Sequence, residues 1–299
     1  MLLTMTGYMR IGELSRRTGV APELLRAWER RYALLEPTRS DGGYRLYSDD
    51  DLLRLRAMQA HLAAGLSAAE AAARARAEPA SATPEQAGMT LADLRQALDR
   101  FDDAAAHAVV DEALASLTVD AVLTELVLPY LAELGSRWKR GEASVAQEHF
   151  ASNLLRGRLL GLARGWDRGA GPRAVLACAP GELHDLPLIA FGLALRTRGW
   201  RITYLGADTP VATAAGTARA LPSNALVVSA TTPRRFAACA ADLGSAADDV
   251  PLAIAGAGAT PALAARLGAQ HLDGDPVTEA ERLTRRTDAA RDGRARRYN

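Results

Sequence analysis

The sequence predicts a multi-domain α and α/β architecture, and three observations predict it. Two helix-periodic blocks are each cut off by a stretch rich in Pro, Gly or Ser. The third block alternates short apolar runs with helical patterns, which implies βαβ units around a parallel sheet. A chain of 299 residues also has room for about two to three domains. The boundaries that follow are a first domain at residues 9–78, a linker at 79–89, a helical block at 90–168, an α/β domain at 172–290 and a polar, disordered tail at 291–299.

Composition narrows the class before any motif is read. Hydrophobic residues make up 48% and charged residues 24%, the balance of a soluble globular protein. A net charge of +1 excludes a polybasic nucleic-acid coat, so DNA contact must come from a local patch. No run reaches the ~18 apolar residues of a membrane span, and Met1 to Arg10 lacks the pattern of a signal peptide. Cys178 and Cys239 have no Cys or His close in sequence, which excludes a disulfide scaffold and a paired-cysteine zinc site. The expectation is a cytoplasmic protein.

In the first block, Arg10 to Arg17 carries Ile11 and Leu14 on one helical face, and Thr18-Gly19-Val20 reads as a turn. Pro22 then opens a second helix, Glu23 to Arg31, with Leu24, Leu25 and Trp28 expected to face inward. That leaves Arg26, Arg30 and Arg31 outward, spaced for phosphates and base edges in a major groove. Between Arg10 and Arg45 eight arginines face five acids, a local charge of +3. These residues alone also suit a small helical bundle with a solvated basic face. The order of motifs says more: Thr18-Gly-Val, Leu25-Arg-Ala-Trp-Glu-Arg-Arg-Tyr32, Pro37-Thr-Arg39, Gly42-Gly-Tyr44-Arg45-Leu-Tyr47, Asp49-Asp-Asp51. Over residues 9–78 this order resembles the winged helix-turn-helix of MerR-family regulators. The resemblance implies double-stranded operator DNA as partner, with Arg26, Arg30 and Arg31 on the recognition helix and Arg39, Tyr44 and Arg45 in the wing; Trp28 reads as core. Metal-sensing members continue into a long dimer helix with ligand cysteines. Here the helical pattern stops at Pro79 and no cysteine comes before Cys178.

In the second block Leu91, Leu94, Leu98 and Phe101 fall on one helical face, and Ala121 to Leu134 reads as a buried helix. Gly135 to Gly141 ends that helix. Ser144 opens the next, with Gln147 completing a capping box. Trp138 therefore sits at one helix end, with Glu148 and His149 in the first turns of the following helix. An aromatic plate beside a carboxylate and an imidazole can line a pocket for a large ligand. The three residues alone read equally as a core Trp and two solvated side chains.

The third block offers strands at Ala174–Ala179, Ile202–Leu205, Ala225–Ser229 and Leu252–Ala255, and a weak fifth at 270–272. Pro187, Pro210 and Pro261 mark helix starts, and Gly199 fits a helix end. Five strands suit a flavodoxin-like doubly wound sheet, whose ligands bind beyond the carboxyl ends of the strands. Glu182-Leu-His184-Asp185, Gly206-Ala-Asp208, Ser229-Ala-Thr231-Thr232 and Gly256-Ala-Gly258 all fall on that edge. Gly256 and Gly258 are expected to let backbone approach a ligand. Glu182 is placed to fix the tautomer of His184 for a transition metal, although a lone loop histidine making one ordinary hydrogen bond fits those two residues as well.

The spacing from Trp138 to Glu148-His149, the acid-x-His loop and the preceding reader, in this order, resemble CarH/LitR-type photoreceptor regulators. The resemblance implies adenosylcobalamin, with His184 as the lower cobalt ligand and Glu182 behind it. Residues 90–168 would form a four-helix bundle that caps the cofactor, with Trp138, Val145, Glu148 and His149 covering the upper face. A slot lined by Ser229, Thr231, Gly256 and Gly258 would take the displaced nucleotide tail, and Asp185, Leu186, Leu205 and Gly206 complete the cofactor-binding set. Three positions depart from the pattern: Pro187 stands for a Gly, Ala257 separates the two glycines, and Lys139 stands where some relatives carry a second cobalt-ligating His. The implied function is a light-responsive transcriptional regulator, a repressor, and not an enzyme. It would bind operator DNA as a cofactor-dependent homo-oligomer, dimer or tetramer, in the dark and dissociate in light, with no membrane partner. The alternatives are a MerR-type regulator gated by cobalamin level or another ligand without light, and a corrinoid methyl-carrier protein.

Overall fold

The computed structural model describes residues 9–39, 43–63, 65–77 and 90–295. They fall into two compact units, Met1–Leu126 and Val127–Asn299. Gly42 of the wing motif, the expected linker at 79–89 and residues 296–299 lie outside the described residues.

The first unit opens with α1 (Ile11–Thr18) and α2 (Pro22–Tyr32), then the strands β1 (Thr38–Arg39) and β2 (Arg45–Leu46), then α3 (Asp49–Ala63) and α4 (Ala68–Ala77). Gly19 ends α1 in the left-handed region at φ 71°, where a Cβ would be strained, and this permits the tight turn into α2. Gln59 of α3 pins that turn by donating to the Thr18 carbonyl at 3.0 Å. The antiparallel pair β1–β2 forms the wing. Leu14, Leu25, Trp28, Tyr47, Leu55 and Met58 share one core, so Trp28 is core as expected. Leu24 is not: it is 44% exposed, because Leu25 and Trp28 already fill the inward face of α2.

Two further helices, α5 (Leu91–Asp99) and α6 (Asp103–Ser116), complete this unit together with the start of a third. Leu94 and Leu98 are buried as their spacing predicts. Phe101 is not on their helix. It lies beyond the end of α5 at φ 58° and is about half exposed. The third helix runs as α7 (Val119–Ala121), a π-helical turn over Val122–Val127 and α8 (Leu128–Lys139). Pro129 has no N–H to offer the preceding turn, which accounts for the widened ladder just before it. The boundary between the units crosses this helix, so the block at 90–168 is divided: α5 and α6 belong to the first unit, α8 and α9 (Val145–Gly161) to the second.

The second unit is built on a five-stranded parallel sheet of β3 (Arg173–Cys178), β4 (Arg201–Gly206), β5 (Ala225–Ser229), β6 (Leu252–Ala255) and β7 (Gln270–Leu272). Its strand order is β4-β3-β5-β6-β7, the flavodoxin-like order expected. Nearly continuous burial along β3 and β5 shows that both faces are covered. The helices between and after its strands are α10 (Leu186–Thr197), α11 (Val211–Ala220), α12 (Pro233–Ala238), α13 (Ala240–Asp249), α14 (Pro261–Leu267) and α15 (Pro276–Ala295). Gly199, just past α10 at φ 86°, ends it as predicted. The tail expected to be disordered from Arg291 is instead helical through Ala295, continuing α15. No helix among the described residues is long and apolar enough to cross a membrane.

Candidate functional site

The carboxyl end of β3 carries the loop Pro180 to Asp185, and three neighbouring elements hold it. Glu182 sits at its centre, 0% exposed. Its Oε1 accepts from the His184 amide at 3.0 Å and faces His184 Nδ1 at 2.6 Å. Its Oε2 accepts from the Thr231 amide at 2.7 Å and hydroxyl at 2.5 Å, and pairs with Arg235 Nε at 3.1 Å. Burial alone would push this carboxyl up. The hydrogen bonds from Thr231 and His184 outweigh it and hold the group at about 2, so Glu182 is ionised. An ionised carboxylate can only accept, so the proton of the neutral imidazole resides on Nδ1 and Nε2 keeps its lone pair. The His184 side chain is 65% exposed, and its unprotonated nitrogen is available to a metal.

The rest of the loop is fixed as firmly. Asp208, on the loop after β4, accepts from the Gly181 amide at 2.6 Å and donates its own amide to the Glu182 carbonyl at 2.9 Å. It does so at φ 47°, an uncommon conformation for a non-glycine residue. Asp185 is buried; it accepts from Arg156 Nε of α9 at 2.9 Å and from the Tyr204 hydroxyl at 2.7 Å. Burial, then this hydrogen bond, pushes the Tyr204 hydroxyl far up, so it stays a donor. Cys178 ends β3 beside this loop, but burial pushes its thiol up to about 12, which removes it as a thiolate ligand near neutrality.

Several predicted ligand-facing residues have other partners. Thr231 donates its hydroxyl hydrogen to Glu182. Gly256 and Gly258 let backbone approach backbone closely. A Cβ at Gly256 would stand 2.6 Å from the Ala230 carbonyl oxygen, and one at Gly258 would overlap the Thr232 backbone. Ser229 is buried beneath Gly256. Leu186 is buried and Leu205 packs against the sheet core, while Gly206 ends β4 at φ 90°. Asp185 orients its neighbours from a buried position rather than offering a free oxygen.

The α8–α9 turn carries the other predicted group. Ser144 and Gln147 form the expected capping box. Trp138 is 45% exposed and Val145 is exposed, so neither indole nor valine is core. Glu148 lies 3.5 Å from His149 Nε2 and accepts from Ser152 at 2.8 Å. Glu148, Ser152 and Arg156 recur every four residues, so they form one ridge of α9. That ridge meets the His184 loop at Arg156 and carries Glu148 two turns away, about 12 Å along the axis.

In the first unit, Arg26, Arg30 and Arg31 are exposed on α2, and Arg39, Tyr44 and Arg45 on the wing. The wing is tied to the helix. Glu29 accepts from Arg45 Nε at 3.0 Å and from the buried Tyr47 hydroxyl at 2.8 Å. Arg10 lies over the Tyr44 ring at 4.7 Å, a cation–π contact. Asp51 is a second hub, buried and accepting from the Glu36 and Ser48 amides and from Arg54.

Sequence reasoning missed Arg156, Tyr204, Asp208 and Arg235. Asp208 and Arg235 lay within or just beyond loops already assigned to the ligand edge. Arg156 and Tyr204 lie 29 and 19 residues from Asp185, with no local pattern to join them. Among the described residues no group of three or more His, Cys, Asp and Glu is placed to hold a metal ion.

Two family models match the chain: the MerR HTH family regulatory protein over residues 9–78 and the B12 binding domain over residues 90–160. The HTH-type transcriptional repressor CarA of Myxococcus xanthus is 35% identical over 273 residues, which is 89% of this chain and 93% of CarA. The repressor CarH of the same organism is 35% identical over 213 residues, 67% of this chain and 71% of CarH. Among solved structures, the monomethylamine corrinoid protein of Methanosarcina barkeri superposes with a TM-score of 0.51 at 19% identity. That match covers 64% of this chain and 94% of that one, a likeness of fold.

Proposed function

The chain belongs to the MerR-type regulators that carry a B12-binding domain, the family of CarA and CarH, and from that premise we propose that it is a cobalamin-dependent transcriptional repressor. One observation carries the reading: a solvent-facing imidazole whose Nδ1 is pinned by a buried, ionised Glu182, leaving Nε2 free. A neutral imidazole of this kind suits a borderline transition metal, and the carboxylate behind it fixes its tautomer and ring orientation. A corrin brings its own equatorial nitrogens, which fits a site with one protein ligand.

The fuller reading makes adenosylcobalamin the cofactor and light the signal. Adenosylcobalamin, when bound, supplies a cobalt–carbon bond that light breaks. His184 would hold the lower face through Nε2, with Glu182, Thr231 and Arg235 keeping its ring in place. Trp138 and Val145 would exclude water from the upper face, with Glu148 and His149 beside them; the exposure of that indole and valine supports this role. In the second unit, the anchor from Arg156 to Asp185 links the helix bearing Glu148 to the loop bearing His184. Arg26, Arg30 and Arg31 would enter the major groove of operator DNA, with Arg39, Tyr44 and Arg45 setting register on the backbone. Several subunits would assemble in the dark and bind repeated half-sites together. Their parting in light would lower DNA affinity through lost multivalency.

The test is size-exclusion chromatography with visible spectra, in darkness with adenosylcobalamin and again after green light. A dark oligomer carrying the cofactor that falls apart on illumination is the expected result. Cofactor uptake with an unchanged elution volume overturns the light reading in favour of gating by cobalamin level, which Lys139 favours. An ammonium is a poor cobalt ligand, and Lys139 is exposed directly beside Trp138. No uptake at micromolar cofactor overturns the cobalamin reading altogether.

A further inference from the structure

Arg235 stands in α12, outside every motif assigned to the cofactor, yet it makes two contacts with the loop that presents His184. Its Nε pairs with Glu182 Oε2 at 3.1 Å, and its Nη1 donates to the Gly181 carbonyl. The two bonds come from one planar guanidinium, so they fix the carboxylate and the backbone one residue before it in a single geometry. Gly181 has φ 75°, and a Cβ there would stand 2.7 Å from Arg235 Nη1. The glycine thus makes room for the guanidinium as well as for the turn.

The geometry points to Arg235 as a positioning residue for His184, an inference that rests on His184 being the axial ligand. Glu182 is fully buried, and among the described residues Arg235 is the cation that pairs with it. A buried carboxylate without a counter-charge is costly. Thr231 and Arg235 together hold Oε2, which leaves Oε1 directed at Nδ1. Without Arg235 the carboxylate can rotate or draw in water, and the Gly181 carbonyl loses its donor. The imidazole then samples orientations in which Nε2 no longer faces outward. Arg235 therefore holds the ligand nitrogen ready before any metal arrives, so that binding need not order the ring.

Two measurements test this, and the first needs no cofactor. In protein labelled with 15N-histidine, the His184 Nδ1–H proton should give a downfield, slowly exchanging signal that is absent from His184→Ala. In Arg235→Gln the signal should broaden or vanish while the circular dichroism stays native, and Arg235→Lys should restore it in part. An unchanged signal in Arg235→Gln overturns the inference whether or not the chain binds cobalamin. The second measurement is a mutant cycle on cobalamin affinity, read from visible spectra in the dark. Arg235→Gln should weaken binding ~10- to 100-fold in the presence of His184 and have little further effect in His184→Ala. An equal loss in both backgrounds would mean that Arg235 acts on the fold alone and would overturn the positioning role. Failure of the parent protein to bind cobalamin would refute the axial-ligand reading, while the proton signal would still decide what Arg235 does to His184.

Discussion

Replacing Glu182 with Gln tests the central element of the site at the smallest steric cost. The carboxamide is isosteric, but one of its ends carries two N–H donors. Placed at Oε2, those donors face the Thr231 amide, the Thr231 hydroxyl and Arg235 Nε; placed at Oε1, they face the His184 amide and Nδ1–H. Either orientation opposes donor to donor in a fully buried position. Removing one member of a buried ion pair costs about 3–5 kcal/mol. The carboxyl's descent from 4.5 to about 2 gives a separate figure of about 3 kcal/mol. At about 2–4 °C per kcal/mol for a unit of this size, Glu182→Gln should lower the melting temperature by roughly 6–20 °C near pH 7. The sign with pH follows from linkage. A carboxyl held below its unfolded value adds stability in full above about 4.5 and loses it as the pH falls through about 2. The gap between parent and variant should thus be constant from pH 8 to about pH 5.5 and narrow below that. Circular dichroism melts of the cofactor-free chain across that range make the comparison. A variant that melts with its parent at pH 7 would refute the claim that Glu182 is an ionised hub.

Gly258→Ala should destabilise by about 1–3 kcal/mol, since its Cβ would overlap Thr232 backbone rather than a pliable side chain; a neutral effect in the same melts would show that the loop can move aside. Arg156→Met leaves buried Asp185 with only the Tyr204 hydroxyl, at a cost of about 2–3 kcal/mol, less than for a fully buried pair because Arg156 is partly exposed. Tyr204→Phe should couple to it, and strict additivity in a double-mutant cycle would refute a shared network. Arg39→Ala should weaken DNA binding evenly across sequences and reduce the salt slope by about 1, whereas Arg30→Ala should alter the sequence selected from a random duplex pool. Anisotropy titrations at several salt concentrations separate the two, and identical behaviour would remove the division between wing and recognition helix.

The legible parts of this protein are those encoded in short windows. Strands β5 and β6 fall where their apolar runs lie, and the alternation of strands with helices announces a parallel sheet. The capping box at Ser144, the helix end at Gly199 and the pairing of Glu182 with His184 each span five residues or fewer. The failures also have local causes. Leu24 follows helical periodicity but finds no room beside Leu25 and Trp28, and Phe101 lies two residues past the point where α5 ends.

What the sequence determined alone is therefore the set of elements, their order and the single imidazole on the ligand edge, because backbone preference and apolar period act over a few residues. Only the tertiary structure decided who holds that imidazole. Thr231 and Arg235 reach Glu182 from 49 and 53 residues away, and Arg156 reaches Asp185 from another helix. Parallel strands bring their loops together at one edge whatever the chain length between them. A buried carboxylate then selects its donors by distance and charge, neither of which leaves a periodic trace in the chain.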